Sequence, residues 1–183
     1  MASIAHGFSL IQLLLSIALI SALSLSGINQ LNYIYQKASA ANYSQQLINT
    51  IKLARLSAIK YQKPTTLCHL ADTGKCDRNW HEGLQLFFDT NANKKLDQQD
   101  KIFHQLSPPQ KSALLTYNRR FIHFATNGLS LGSNGHFIYC PVYGQNLTNQ
   151  DKIQLAQRII INRQGRVRIS TDQNDSRITE LCG

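Results

Sequence analysis

From Phe8 to Ile28 the chain runs 21 residues without an Asp, Glu, Lys, Arg or His. A helix of that length covers about 30 Å, the thickness of a bilayer's hydrocarbon core. Serines and Gln12 interrupt the run, and Gly7 precedes it. Past Ile28 the pattern turns amphipathic. Leu31, Ile34, Ala38, Ala41, Ile48, Ile51, Ala54 and Ala58 recur mostly at spacings of three, four or seven, which predicts a single apolar stripe on a helix. Lys52, Arg55, Lys60 and Lys63 gather near its end, where cations complement the helix dipole. Pro64 then stops it, because the residue before a proline avoids the helical region. The pattern predicts one continuous helix from Phe8 to about Gln62. Its first half suits lipid or a bundle of like helices, and its second half suits packing on one side of a globular head.

Beyond Pro64 the chain breaks into short apolar runs separated by Asn, Asp and Gly. "TTLCHL", "GLQLFFD", "KIFHQL", "RRFIHFA", "GHFIYCP", "RIIIN" and "RVRIST" read as strands. No spacing points to helices between them, so the sheet is expected to be mostly antiparallel. The predicted fold class is α+β, a long N-terminal α-helix packed on a β-rich head.

Charge and cysteines sharpen this picture. The formal net charge is +9, from 19 Lys and Arg against 10 Asp and Glu, which points to a polyanionic partner such as nucleic acid, anionic lipid or acidic polysaccharide. The four cysteines, Cys68, Cys76, Cys140 and Cys182, are even in number behind an export-type N-terminus, as expected of two disulfides in an oxidising compartment. Of the three possible pairings, Cys68–Cys76 with Cys140–Cys182 is favoured. The first closes a short polar loop and the second ties down the chain end, with contributions on the order of 2.5 and 4 kcal/mol. No C-x-x-C occurs and the six histidines are scattered, so neither a metal centre nor a catalytic triad is indicated.

The N-terminal segment fits an ordinary secretory signal badly. "MASIAHG" carries no Lys or Arg, the apolar run is too long, and no clear A-x-A site follows. Instead "GFSLIQLLLSIALISAL" resembles the class III signal of type IV pilins and type II secretion pseudopilins, which carry G-F-T-L-I-E before an apolar helix. The resemblance implies a leader of residues 1–7 and a prepilin peptidase cut between Gly7 and Phe8, with methylation of Phe8. It also implies an inner-membrane span or filament core at 8–28 and a periplasmic head from 29 to 183. Two departures stand out: His6 is the nearest thing to a basic leader residue, and Gln12 replaces the usual Glu. A glutamine accepts a hydrogen bond but cannot neutralise a neighbouring subunit's amine, which favours a minor over a major subunit.

The head extends the likeness. "RNWHEGLQLFFDTNANKKLDQQDKIFHQL" resembles the W-x-x-G-[apolar]-F-x-D-x-N block of the FimT/GspH group, with Trp80, Gly83, Phe87, Asp89, Asn91 and Asp97 at matching positions. "GHFIYC" and "QRIIINRQGRVRIS" resemble its C-terminal strands.

In that last stretch a turn with Gly165 at a G1 bulge puts Asn162 opposite Arg166 and Arg158 opposite Ser170. Arg158, Arg166 and Arg168 then share one face, Ile159, Ile161, Val167 and Ile169 share the core face, and Arg163 sits in the turn. Guanidinium forks suit phosphate oxygens and stay charged. Four neutralised phosphates give a salt slope near −3.6, a loss of roughly 100-fold between 50 and 200 mM salt, with no base readout. FimT-type minor pilins of naturally competent bacteria carry a G-R-x-R motif here, implicated in binding DNA for uptake, and Gly165, Arg166, Val167 and Arg168 match it. Arg163 and Arg158 are expected helpers, as are Arg119 and Arg120 if their strand lies alongside; Tyr139 and Tyr143 could stack on unpaired bases.

Three further motifs are weaker. "DTNANKKLDQQD" follows an EF-hand loop through Asp89, Asn91, Asn93, Asp97 and Asp100, but Lys94 stands at the glycine position and Asp100 is shorter than the usual Glu. An Asx-rich hairpin loop without metal is the expected reading. "GLSLG" matches G-x-S-x-G around Ser130, but without a βα alternation to make a nucleophile elbow. Trp80 is expected in the core against the long helix. The sequence thus points to a non-enzymatic minor pilin without a cofactor. Its expected partners are DNA, other pilins in a filament, prepilin peptidase and the inner membrane, before display at the cell surface. The alternative is a structural minor pilin or secretion pseudopilin with no DNA-binding role.

Overall fold

A single helix, α1 (Leu10–Tyr61), runs into the head and ends where Gln62 adopts a left-handed φ of 49° two residues before Pro64. The computed structural model describes residues 9–111, 113–130, 132–141, 147–170 and 175–183, with the backbone alone for 22–30. Gly7, Phe8 and Tyr143 lie outside the described residues. At the start of α1, Gln12 Oε1 accepts the Ser9 N–H at 3.4 Å, so this side chain satisfies one of the helix's orphan donors. Leu10, Ile11, Leu13, Leu14, Leu15, Ile17, Leu19 and Ile20 all face solvent. Among the described residues no helix is long and apolar enough to cross a membrane; the expected 8–28 span includes Phe8 and side chains 22–28 outside that description.

The buried face of α1 differs from the predicted stripe in its upstream half. Ile48, Ile51, Ala54 and Ala58 are buried as expected, but they continue upstream through Leu47, Ser44, Tyr43 and Ala40. Leu31, Ile34, Ala38 and Ala41 are exposed. At about 100° per residue, Leu31, Ile34 and Ala38 fall on the far side of the helix from Ala54 and Ala58.

Among the described residues the head contains two four-stranded antiparallel sheets. The first has the order β3 (Lys101–Leu106), β2 (Leu84–Phe88), β1 (Thr65–Cys68), β5 (Ile122–Phe124). The second has the order β4 (Ala113–Tyr117), β6 (Gly135–Pro141), β7 (Gln157–Ile161), β8 (Val167–Ile169). Two helices expected from no spacing argument, α2 (Asn149–Leu155) and α3 (Ser176–Cys182), are also present, and β4 is a strand that the run pattern missed. The main core joins Leu47, Ile51, Ala54 and Ala58 of α1 to Leu67, Leu86, Phe87, Phe124, Phe137, Tyr139, Ile159 and Ile161. Trp80 is fully buried in a 3₁₀ turn. Its ring meets Tyr117 and Phe137 edge-on at 5.1 Å each, so its aromatic partners lie on the second sheet rather than on the helix.

A smaller cluster of Ile138, Cys140, Ile178 and Cys182 lies beneath α2 and α3 on the opposite face of the second sheet. Disulfides join Cys68 to Cys76 and Cys140 to Cys182. The second fastens the C-terminal helix to β6.

Candidate nucleic-acid interface

The β7–β8 hairpin reverses at Asn162–Gly165. Gly165 N–H donates to Asn162 C=O at 3.0 Å, Asn162 N–H to Arg166 C=O at 3.0 Å, and Arg166 N–H to Asn162 Oδ1 at 2.9 Å. With Gly165 at φ +72°, this is a tight turn closed by a G1 bulge. The ladder pairs Ile161 with Val167, Ile160 with Arg168 and Ile159 with Ile169, and Ser170 N–H reaches Arg158 C=O at 2.7 Å. Ile159 and Ile161 are buried, whereas Ile169, on an edge strand, is 40% exposed.

The turn is braced by the β5–β6 loop, which α1 in turn holds. Ser130 N–H donates to Arg163 C=O at 2.9 Å, and Arg55 Nε on α1 donates to Gly128 C=O at 3.0 Å. A Cβ on Gly165 would lie 2.6 Å from Gly128 O and 2.9 Å from Phe124 Cε1. Only glycine fits this combination of close approach and left-handed backbone. Arg163, Arg166 and Arg168 project from the braced turn, all exposed, and none pairs with an acidic group among the described residues.

Arg158 does not join them. Its guanidinium is 11% exposed and is ion-paired with Asp175, which caps the N-terminus of α3. Arg177 Nε shares the same carboxylate at 2.8 Å, and that bond leads the interactions that hold the Asp175 pKa below its ordinary value against the cost of burial. Arg177, half exposed, is thus the second cation on the carboxylate that Arg158 uses. His136 lies nearby and is held toward its neutral form by burial first, then by Arg158 and Arg177. Arg119 and Arg120 are exposed and lie just ahead of β5, which pairs with β1 in the first sheet and not with β8 in the second. Their strand does not lie alongside the arginine hairpin.

Sequence reasoning also missed two cations on α1. Lys52, Arg55 and Leu56 face Gly165, Arg166 and Val167 across a cleft of about 400 Å³. The basic helix end was visible in the sequence, but its neighbour in space was not.

The remaining candidates are engaged or buried within the head. Asp89 is fully buried and accepts Thr66 Oγ1 at 2.7 Å, Asn93 N–H at 2.9 Å and Lys94 N–H at 3.1 Å. Burial raises its pKa, but the bonds from His123, Thr66 and Lys94 outweigh that and leave it below the ordinary value. Asp97 accepts both Asn91 Nδ2 and Asn93 Nδ2, and Asp100 accepts the Thr90 and Asp97 N–H groups. The loop's carboxylates therefore accept bonds from its own N–H groups and, at Asp89, from Thr66 of β1. Among the described residues no group of three or more His, Cys, Asp or Glu side chains is arranged to hold a metal. Ser130 is buried against Ser133 Oγ at 2.9 Å. Tyr139 is buried with its ring 5.6 Å from that of Tyr43, out of reach of a base.

The profile of the family described as type II transport protein GspH matches residues 44–175. The type IV minor pilin FimU of Pseudomonas aeruginosa PAO1, in its P21 crystal form, superposes with a TM-score of 0.55 at 13% identity, covering 75% of this chain and 92% of that one. Its P65 form gives 0.51 at 14%, covering 71% and 91%. The minor pseudopilin EpsH of the Vibrio cholerae type 2 secretion system gives 0.49 at 14%, covering 72% and 96%. A sequence comparison with curated proteins gives no match.

Proposed function

The chain belongs to the GspH family, and from that premise we propose that it is a minor type IV pilin that binds DNA without sequence preference, in support of natural transformation. Prepilin peptidase cuts after Gly7, and residues 8–28 hold the chain in the inner membrane with its head in the periplasm until it joins other pilins in a filament at the cell surface. Arg163, Arg166 and Arg168 carry the DNA contacts.

The observation that carries this reading is the state of those three side chains: exposed, without acidic partners among the described residues, and mounted on a turn that α1 and the β5–β6 loop brace. Lysines on a mobile loop would lose more entropy on binding; a fixed guanidinium loses less per hydrogen bond formed. Phosphate contacts position a polymer without reading bases, so unrelated sequences should bind alike. The second reading, a structural pseudopilin, is favoured by the family's own description and by the exposed Leu31, Ile34 and Tyr35 of α1, which offer a packing face to neighbouring subunits.

A mobility-shift assay with the full chain in nonionic detergent separates the two. Binding of unrelated duplexes at low salt, strongly weakened in the Arg166→Gln/Arg168→Gln double variant, supports the DNA reading. A double variant that binds as well as the parent refutes the arginine assignment, and a parent that binds nothing at low salt leaves the structural role.

A further inference from the structure

The cleft between α1 and the β7–β8 turn has a composition that bare phosphate binding does not require. Its walls bring together three cations, Lys52, Arg55 and Arg166, with two aliphatic side chains, Leu56 and Val167, around Gly165, and no carboxylate lines it. Lys52, Arg55 and Leu56 stand at i, i+3 and i+4 on one face of the helix. Leu56 is 61% exposed, a large apolar side chain held at the surface beside two positive charges. Arg55 already donates Nε to Gly128 C=O, which fixes the guanidinium, while its terminal nitrogens bond no described residue. Gly165, crowded by Gly128 O and Phe124, holds Arg166 and Val167 close to the helix and sets the cleft's width. At about 400 Å³ the recess is within the range of small-ligand sites.

We propose that this cleft is a subsite for one nucleotide of an unpaired DNA strand, with Lys52, Arg55 and Arg166 on the phosphodiester and the Leu56–Val167 floor under its base or sugar. The proposal rests on the DNA-binding reading above and goes beyond it by naming the form of DNA preferred. A paired duplex turns its bases inward and presents a convex, charged surface, so it reaches the cationic rim but leaves the apolar floor uncovered. An unpaired strand can place a phosphate on the rim and its base against the floor, the division of labour found in single-strand grooves. Arg166 belongs both to the cleft and to the exposed arginine row, so the same strand continues onto Arg168 without a break in positive potential. An anionic lipid headgroup fits less well. Lys52 lies 24 residues past Ile28, about 36 Å of helix, several Debye lengths from a membrane surface at that level.

The test compares fluorescence anisotropy of labelled oligothymidine, free or annealed to oligodeoxyadenosine, on the full chain in nonionic detergent. The parent protein should bind the single strand roughly 5-fold or more tightly than the duplex. Leu56→Ser, at an exposed position that does not support the core, should bring single-strand affinity down to the duplex value and leave duplex affinity unchanged. Lys52→Gln should weaken both forms. Equal affinity of the parent for both forms, or a Leu56→Ser variant that keeps the preference, overturns the subsite while leaving DNA binding intact. Failure of the parent to bind either form at low salt overturns the DNA reading and the subsite with it.

Discussion

Arg158 and Arg168 occupy the same face of adjacent strands, and their fates differ because of one carboxylate. Asp175 returns across the outer face of the second sheet, 17 residues along the chain from Arg158, and takes its charge. Arg168 meets Ile160 on the neighbouring strand and keeps its charge for a partner. Asp175→Asn leaves the Arg158 guanidinium buried without its counter-charge, and the expected loss is on the order of 3 kcal/mol in a denaturant titration, with no fall in DNA affinity for the folded fraction. Arg158→Gln should likewise cost stability rather than the salt-dependent part of binding.

Asp89 makes a pH prediction at the same scale. Its folded-state pKa lies below the ordinary value, so the folded state binds fewer protons than the unfolded chain at mildly acid pH. Its contribution is complete above the ordinary carboxylate pKa and is lost as pH falls through the depressed folded value. Asp89→Asn should therefore lower stability at neutral pH and flatten the acid limb below about pH 4 of a stability–pH profile. A variant with an unchanged acid limb would show that another carboxylate dominates it.

At the level of elements, the hairpin was legible in the sequence and its surroundings were not. Alternation of Ile159, Ile161, Val167 and Ile169 with arginines fixes the register, because a slip of one residue reverses both faces. The ion pair on Arg158 and the cleft with Lys52 depend on chain returns that no local pattern encodes. The upstream half of α1 was misassigned because each step of three falls about 60° short of a full turn, so the run Ile48, Ile51, Ala54 carries the stripe well away from Leu31 and Ile34. Helix α2 is too short to show a helical period, but its Thr148–Asp151 capping box was readable. Strand β4 buries Leu115 and Tyr117 on one face, a two-residue signal lost among Ala, Leu and the flanking polar residues. Gly165→Ala tests the hairpin as a unit. It removes no charge, yet the left-handed φ and the contact with Gly128 O predict a loss of about 1–3 kcal/mol and weaker DNA binding as Arg166 shifts. Opening the Cys140–Cys182 bond by paired serine substitution should cost on the order of 4 kcal/mol and release α3 first, as amide exchange of residues 176–182 would show.

For the whole molecule, the net charge of +9 guarantees some attraction to any polyanion, so binding alone does not identify a site. What separates a built interface from a diffuse positive field is how many counterions particular residues release. The most direct measurement is the slope of log affinity against log salt for two duplexes of unrelated sequence. With one phosphate on each of Arg163, Arg166 and Arg168, the parent should show a slope of about −2.7 on both, and the Arg166→Gln/Arg168→Gln variant a slope of about −0.9. A variant slope equal to the parent's, or a parent that favours one duplex strongly, would contradict the account.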